Sequence, residues 1–154
     1  MIAPGVYSSR EISQADEYYY VISNKYPKAV VSGISAISYH LLSEADDDFI
    51  HLDVPVGKTH LRKNKMFIFH RVVPKRLCGI QKIERNGFKF RIYSPERCLF
   101  EAFLIDKDGP LFPIVLKNYI KRFKLNFDEI FKLEKRLGIK ISKFLKFLLV
   151  ESSS

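Results

Sequence analysis

The chain of 154 residues contains few cysteines and no long apolar segment, and these absences exclude several classes of protein. Its two cysteines, Cys78 and Cys98, do not form a Cys-x-x-Cys motif, which argues against a disulfide scaffold and a zinc ribbon. No apolar run approaches the roughly 18 residues that cross a bilayer, and the first residues show no signal peptide. We therefore expect a single cytoplasmic domain with no membrane partner.

The chain also lacks the short motifs of common catalytic sites. It contains no phosphate-binding P-loop, no Gly-x-Ser-x-Gly nucleophile elbow and no His-Glu-x-x-His zinc motif. The histidines are not spaced to share a helix face, and the simplest interpretation is that they are unrelated structural or surface residues, beside two inert thiols. We expect no enzymatic activity, no metal and no cofactor. The histidines are His40, His51, His60 and His70.

A metal-dependent nuclease is the enzymatic interpretation that the basic composition favours. Such a site needs clustered carboxylates, often an acid on one strand and an acid-x-Lys pair on the next, to hold a divalent ion. Asp53 lies in a predicted strand, but the strand predicted over 88–92 contains no acid-x-Lys pair. A metal-dependent nuclease is therefore less favoured than a binding protein without enzymatic activity.

Acidic residues are scarce beyond residue 54. Residues 1–54 carry three basic and eight acidic residues, a net charge of −5, whereas residues 55–154 carry 23 and nine, a net charge of +14. A surface of one sign indicates a polyanionic partner, such as nucleic acid, an anionic membrane or an acidic protein. A generally lysine-rich composition is the alternative.

Most of this positive charge lies in two clusters. Residues 58–76 contain seven basic residues and no acid, and residues 117–146 contain ten basic residues and three acids. Lysine and arginine bind phosphates without reading bases. Tyr119 and Phe123 could stack on bases, but their helical spacing favours the core. We predict that the DNA phosphate backbone contacts Lys58, Arg62, Lys63, Lys65, Arg71, Lys75, Arg76, Lys117, Lys121, Arg122 and Lys124.

Apolar spacing predicts two helices before residue 49. The first begins at Ser13 and ends before Pro27, because the residue before a proline avoids the helical conformation. The second begins at Ser32 and extends through Leu41 and Leu42.

About four strands are predicted between residues 49 and 93, in a small mixed or antiparallel sheet. Alternation over 50–56 indicates a half-buried strand that ends near Pro55. The apolar run over 66–69, extended to 73, indicates a strand buried on both faces. Asn86-Gly87 predicts a hairpin, followed by a strand over 88–92 with one apolar and one basic face.

The last third of the chain is predicted to be helical, so the fold class is α+β. Residues 94–96 are typical of a helix start, 108–110 break the chain, and helices follow over 114–123 and from Asn126 or Asp128 to Gly138. The stripe over 141–149 suits packing on the domain better than a membrane surface. A composition change near residue 110 leaves open whether residues 1–154 form one plain domain or one with a helical appendage over 111–154.

Four segments, in order and spacing, resemble the AbiEi-type antitoxins and transcriptional regulators of bacterial abortive-infection, type IV toxin–antitoxin systems. Residues 4–7 are similar to the end of the wing that closes that family's N-terminal winged helix. The other segments lie within 26–41, 50–57 and 94–102. The residues that carry the resemblance there are Tyr26, Pro27, Ser32, Ser35, His40, Pro55, Ser94, Pro95, Glu96 and Arg97.

The resemblance implies that family's C-terminal domain, without the winged helix that binds operator DNA. In the family, this domain contributes antitoxicity and a basic surface that helps hold DNA, and the toxin is a nucleotidyltransferase. Two positions depart from the family pattern, Cys98 in place of threonine and Glu101 in place of aspartate. We expect a non-enzymatic antitoxin or transcriptional regulator of phage defence with sequence-tolerant DNA contacts; the alternative is a protein-interaction module that partners a separate DNA-binding chain.

Overall fold

The computed structural model describes residues 14–57 and 65–146, and these form an α+β fold, as predicted. Helices precede and follow the sheet in the chain, and residues 142–146 are also helical. Ser13 and residues 4–7, which carry two of the predictions, lie outside the described residues. The helices are α1 (Gln14–Lys25), α2 (Gly33–Tyr39), α3 (Pro95–Ile105), α4 (Leu111–Arg122) and α5 (Phe127–Leu137), with a short 3-10 helix over Pro74–Arg76.

The strands form one mixed sheet in the order β3-β2-β1-β5-β4. The pairs β1–β5 and β2–β3 are parallel, and the pairs β1–β2 and β4–β5 are antiparallel. The four predicted strands are present, and the short first strand, which joins the two halves of the sheet, was not predicted. The strands are β1 (Val30–Val31), β2 (Ile50–Pro55), β3 (Phe67–Val72), β4 (Ile80–Arg85) and β5 (Phe88–Tyr93).

Two predictions about strand burial were wrong. β3 is not buried on both faces, because it lies at the edge of the sheet and its residues His70 and Arg71 are exposed. β2 is more than half-buried, because Asp53 is only 6% exposed, although it alternates with the buried Leu52 and Val54. Both faces of β2 are therefore covered at its centre.

Helix α1 covers one face of the sheet. The Tyr19 ring stacks on Phe90 with ring centroids 4.4 Å apart, and Tyr26, just after the helix, meets Phe69 edge-on at 5.0 Å. Because successive side chains of a strand point to opposite faces, His51 and Asp53 of β2 and His70 of β3 face away from α1. That second face carries the site described below.

Most helix boundaries follow local capping. Ser94 accepts a hydrogen bond from the Arg97 N–H at 3.1 Å, Asn126 caps α5 through the Glu129 N–H at 3.1 Å, and Gly138 ends α5 with φ 70°. The predicted extension of α2 through Leu41 was wrong. Leu41 has a positive φ of 58° and is 61% exposed, since the chain leaves the helix after Tyr39.

The C-terminal helices contribute to the same hydrophobic core as the sheet. Leu116 and Tyr119 of α4 and Ile130 of α5 are fully buried, which confirms the core assignment of Tyr119. Ile141 and Leu145 are buried as well, so the described part of the last helix packs on the domain as predicted. Over the described ranges, no helix is both long enough and apolar enough to cross a membrane.

Candidate functional site

The first basic cluster lies along the edge of the sheet and the turn that follows it. Lys65 is exposed just before β3, Arg71 is exposed within β3, and Lys75 and Arg76 lie on the 3-10 helix. The other three members of this predicted cluster, Lys58, Arg62 and Lys63, lie outside the described residues.

The second basic cluster projects from α4 and the segment after it. All four predicted members are exposed, and two of them occupy the last helical turn, where cations suit the negative end of the helix dipole. Tyr119, between them, donates a hydrogen bond from its hydroxyl to Glu96 Oε2 at 2.7 Å, while burial is the main cause that raises its pKa. The four residues are Lys117, Lys121, Arg122 and Lys124.

One contact joins the two clusters. The Arg136 Nε of α5 donates a hydrogen bond to the Lys75 carbonyl at 3.0 Å, which holds α5 against the 3-10 helix. The basic end of α4 instead contacts α2, since the Phe123 and His40 rings lie 6.4 Å apart. The structure therefore brings Lys75 next to Arg136.

Six exposed basic side chains of these clusters pair with no acid of the described residues. In residues 14–57 and 65–146, Asp47 pairs with His51, and Glu101 forms a salt bridge with Arg97. Of the predicted phosphate contacts described in the structure, Lys65, Lys75 and the four residues from α4 onward take part in neither pair. Their positive charge remains available to a polyanion.

The residues that carry the family resemblance include a buried arginine, Arg97, that belongs to a polar network. Arg97 is fully buried and donates hydrogen bonds to Glu101 Oε2 and the Arg76 carbonyl, both at 3.1 Å. Its guanidinium also lies 4.1 Å from the centre of the Tyr93 ring. Burial opposes the charge, but Glu101 outweighs it, so that the pKa of Arg97 is raised and the cation is retained.

This buried group ties α2 and β2 to α3. Glu101 Oε1 accepts the Gly33 N–H at 2.9 Å, and Tyr93 donates its hydroxyl to Asp53 Oδ2 at 2.6 Å. Burial, followed by the charge of Asp53, raises the pKa of Tyr93 far above its ordinary value, so the phenol remains a donor. The network explains why these polar residues lie inside the fold.

Other residues of the resemblance have structural contacts of the same kind. Ser35 Oγ accepts the His51 N–H at 2.8 Å, and His40 Nε2 donates to the Tyr93 carbonyl at 2.8 Å. Burial is the main cause that lowers the pKa of His40. Tyr26 packs on β3, Pro55 ends β2, and Pro95 occupies the first turn of α3. Pro27 is exposed beyond α1.

Sequence reasoning missed a pair of histidines. The parallel register sets Asp53 opposite His70 and His51 two residues away on the same face, and His51 Nδ1 lies 2.8 Å from His70 Nε2. The prediction that the histidines are unrelated to one another was therefore wrong for His51 and His70. Only the pairing of β2 with β3 unites them, and no local motif encodes that register.

An aspartate completes this chain of imidazoles. His51 Nε2 donates to Asp47 Oδ2 at 2.7 Å, which leaves Nδ1 of a neutral His51 to accept the Nε2–H of His70. Burial would raise the pKa of Asp47, but hydrogen bonds from His51 and the Phe49 N–H hold it below its ordinary value. These hydrogen bonds fix the orientation of both imidazole rings.

The histidine pair borders a cavity of about 410 Å³ between the polar face of β2 and β3, the start of α2 and the end of α3. Asp53 and Glu101 line it from the fold interior, Arg71 and Arg76 lie at its border, and Ile34, Leu104 and Ile105 form an apolar wall.

The described residues form no group of three or more histidine, cysteine or acidic side chains that could hold a metal ion. Asp53 and Glu101 are engaged by Tyr93 and Arg97 instead. Burial raises the pKa of the Cys98 thiol well above its ordinary value, as expected for an inert cysteine.

Comparison with known proteins does not place the chain in a family. No protein-family model matches the sequence, and no curated protein sequence matches it.

Proposed function

We propose that this chain is a non-enzymatic antitoxin or transcriptional-regulator domain that contacts the DNA phosphate backbone through its exposed basic residues. The observation that carries the proposal is the second basic cluster. Lys117, Lys121, Arg122 and Lys124 are exposed and belong to neither salt bridge of the described part of the chain. When exposed lysine and arginine side chains bind phosphates of a nucleic acid, they release its bound counterions, and this release favours binding.

The junction of the first cluster with α5 supports the same proposal. Arg136 donates one N–H to the Lys75 carbonyl, which fixes the guanidinium without cancelling its charge. Lys75 and Arg136 thus form a fixed pair of cations. Such a surface favours binding that tolerates many sequences, because phosphate contacts position a protein without specifying bases.

The antitoxin part of the proposal is supported by the resemblance of segments 26–41, 50–57 and 94–102 to AbiEi-type proteins. A nucleotidyltransferase toxin is the partner that this resemblance implies. The family's operator-reading winged helix has no counterpart in the segments compared, so operator specificity is not proposed for this chain.

A gel-shift titration across salt concentrations tests the DNA contacts. A duplex of random sequence should bind at low salt, and log Kobs should fall linearly with log salt concentration by roughly 0.9 for each phosphate contact. A second duplex of equal length and unrelated sequence should bind with the same affinity. Absence of binding at low salt, or binding that salt does not weaken, would refute the DNA contacts.

Co-expression with a nucleotidyltransferase toxin of the AbiEi-type systems tests the antitoxin role. Growth should resume when the chain is induced beside the toxin and remain arrested with an empty vector. Continued arrest with the soluble chain present would contradict that role, and would leave the DNA titration unaffected.

A protein-interaction module is the second candidate, favoured by an apolar pair on α5. Phe127 and Phe131 are both exposed, and their rings stack with centroids 5.8 Å apart. Exposed paired aromatics are typical of interface centres. If this function is right, Phe127→Ser/Phe131→Ser should weaken co-elution with a partner chain and leave the DNA titration unchanged.

A further inference from the structure

The cavity on the polar face of β2 and β3 contains a hydroxyl group that the fold leaves without a partner. Ser32 is 1% exposed and lines the cavity, and its Oγ makes no hydrogen bond with the described residues. The backbone around it is satisfied, since the Ser32 N–H donates to the His51 carbonyl and the Gly33 N–H to Glu101, both at 2.9 Å. A buried hydroxyl without a partner is costly and marks a place where a ligand can bond.

The cavity walls combine three chemistries. Arg76 lines the cavity from the 3-10 helix, and its cationic group suits a phosphate. Asp53 uses Oδ2 to accept from Tyr93, which leaves its other oxygen for a second donor. Leu104 and Ile105 are 40% and 47% exposed at the end of α3 and present an apolar surface.

No single simple ligand accounts for all three. A free phosphate would use Arg76 and leave the apolar wall and the buried hydroxyl unoccupied. An apolar ligand would leave Arg76 and Asp53 desolvated, which is unfavourable. A volume of about 410 Å³ lies within the range of small-molecule sites.

We propose that this cavity binds a mononucleotide unit. Arg76 binds its phosphate, Ser32 Oγ and Asp53 bind the sugar hydroxyls, and the base lies against Leu104 and Ile105. The same unit exists as a free nucleotide and as the end of a nucleic-acid strand. The proposal does not rest on the DNA contacts of the basic clusters, because a free nucleotide can occupy the cavity of a protein that binds no duplex.

Calorimetric titration of the full chain tests this proposal directly. The ligands are the four ribonucleoside 5′-monophosphates, adenosine, ribose 5-phosphate and inorganic phosphate. At least one monophosphate should bind at least tenfold more tightly than each of the last three. Failure of all four to bind, or binding of inorganic phosphate as tight as that of the nucleotides, would overturn the proposal.

Competition then identifies the source of the nucleotide. A single-stranded octanucleotide with a terminal phosphate that displaces the bound monophosphate identifies a strand end. A bound monophosphate that the octanucleotide does not displace identifies a free nucleotide. Each result supports the site, and the two differ only in what supplies its ligand.

Substitution of the buried hydroxyl separates binding from structure. Ser32→Ala should weaken monophosphate binding about five- to tenfold and, because it removes an unsatisfied group, should not lower the melting temperature of the ligand-free protein. Ser23→Ala, which removes a hydroxyl of α1 that accepts the Lys89 N–H at 3.3 Å, is the control and should leave binding unchanged. Unchanged affinity in Ser32→Ala would contradict the assignment.

The cationic wall is tested in the same way. Arg76→Gln should weaken monophosphate binding about tenfold and leave the weak adenosine binding unchanged, since adenosine has no phosphate. Lys82→Gln on β4 removes the same charge from an exposed residue that does not line this cavity and is the matched control. Equal losses in the two variants would mean that the overall charge of the protein, and not this site, attracts the nucleotide.

Discussion

The charged groups around Arg97 and those along α4 differ in what surrounds them. Arg97 and Glu101 are buried, joined at 3.1 Å, and each forms a further hydrogen bond with a backbone group. Lys117, Lys121 and Lys124 are exposed and pair with no acid of the described chain. The first group can contribute to the fold and has little surface to offer a partner, whereas the second can be removed at little cost to stability. Charge inside this protein thus holds elements together, and charge outside it is available for binding.

The largest effect should follow from breaking the buried pair. Glu101→Gln leaves the Arg97 cation buried without its counter-charge, and we expect the free energy of unfolding to fall by about 3 kcal/mol. Chemical denaturation of purified protein measures this change. Glu84→Gln, on the exposed side of β4, should change stability by less than about 0.5 kcal/mol. A loss for Glu101→Gln as small as that of the control would show that the pair does not hold α2 to α3.

A smaller loss is expected at the phenol that supports Asp53. Tyr93→Phe keeps the ring beneath Arg97 but removes the donor 2.6 Å from Asp53 Oδ2, which should lower stability by about 2 kcal/mol. Thermal and denaturant unfolding of Tyr93→Phe and Tyr20→Phe should be compared, because the second variant makes the same change in a half-buried ring that packs edge-on against Phe88 at 5.1 Å. Equal stabilities would contradict a role for the phenol.

The distinction between these regions also shows what local sequence can predict. The α3 start at Ser94, the α5 cap at Asn126 and its end at Gly138 depend on neighbouring residues, and each was predicted, with the α5 cap left between Asn126 and Asp128. The basic clusters are likewise visible in composition. The His51–His70 pair and the cavity were not predictable, because both depend on the parallel pairing of β2 with β3 across a connection of more than ten residues. Burial of Asp53 depends in turn on Tyr93, 40 residues away.

His40 should give a smaller, pH-dependent effect. Its pKa in the folded protein is lowered, so the unfolded chain binds more protons than the folded one below about pH 6.5. Stability is therefore complete above that pH and falls as the pH drops toward the lowered value, by at most about 1.4 kcal/mol per pH unit.

Unfolding of wild type and His40→Gln between pH 8 and pH 5 tests this behaviour. Glutamine can still donate to the Tyr93 carbonyl but has no proton to gain in this pH range. The variant should therefore lose less stability than wild type as the pH falls. Parallel pH profiles for wild type and His40→Gln would disprove the contribution of His40.

The central claim, that the α4 surface binds a DNA backbone and is dispensable for folding, is tested most directly by two charge-matched triple variants. Lys117→Gln/Lys121→Gln/Lys124→Gln removes three cations from the proposed surface, and Lys25→Gln/Lys28→Gln/Lys82→Gln removes three exposed ones elsewhere. In both variants the free energy of unfolding should differ from that of wild type by no more than about 0.5 kcal/mol for each substitution. In duplex titrations across salt, the first variant should lower the slope of log Kobs against log salt by roughly 0.9 per lost phosphate contact, and the second should not change it. Equal slopes for the two variants would contradict the account.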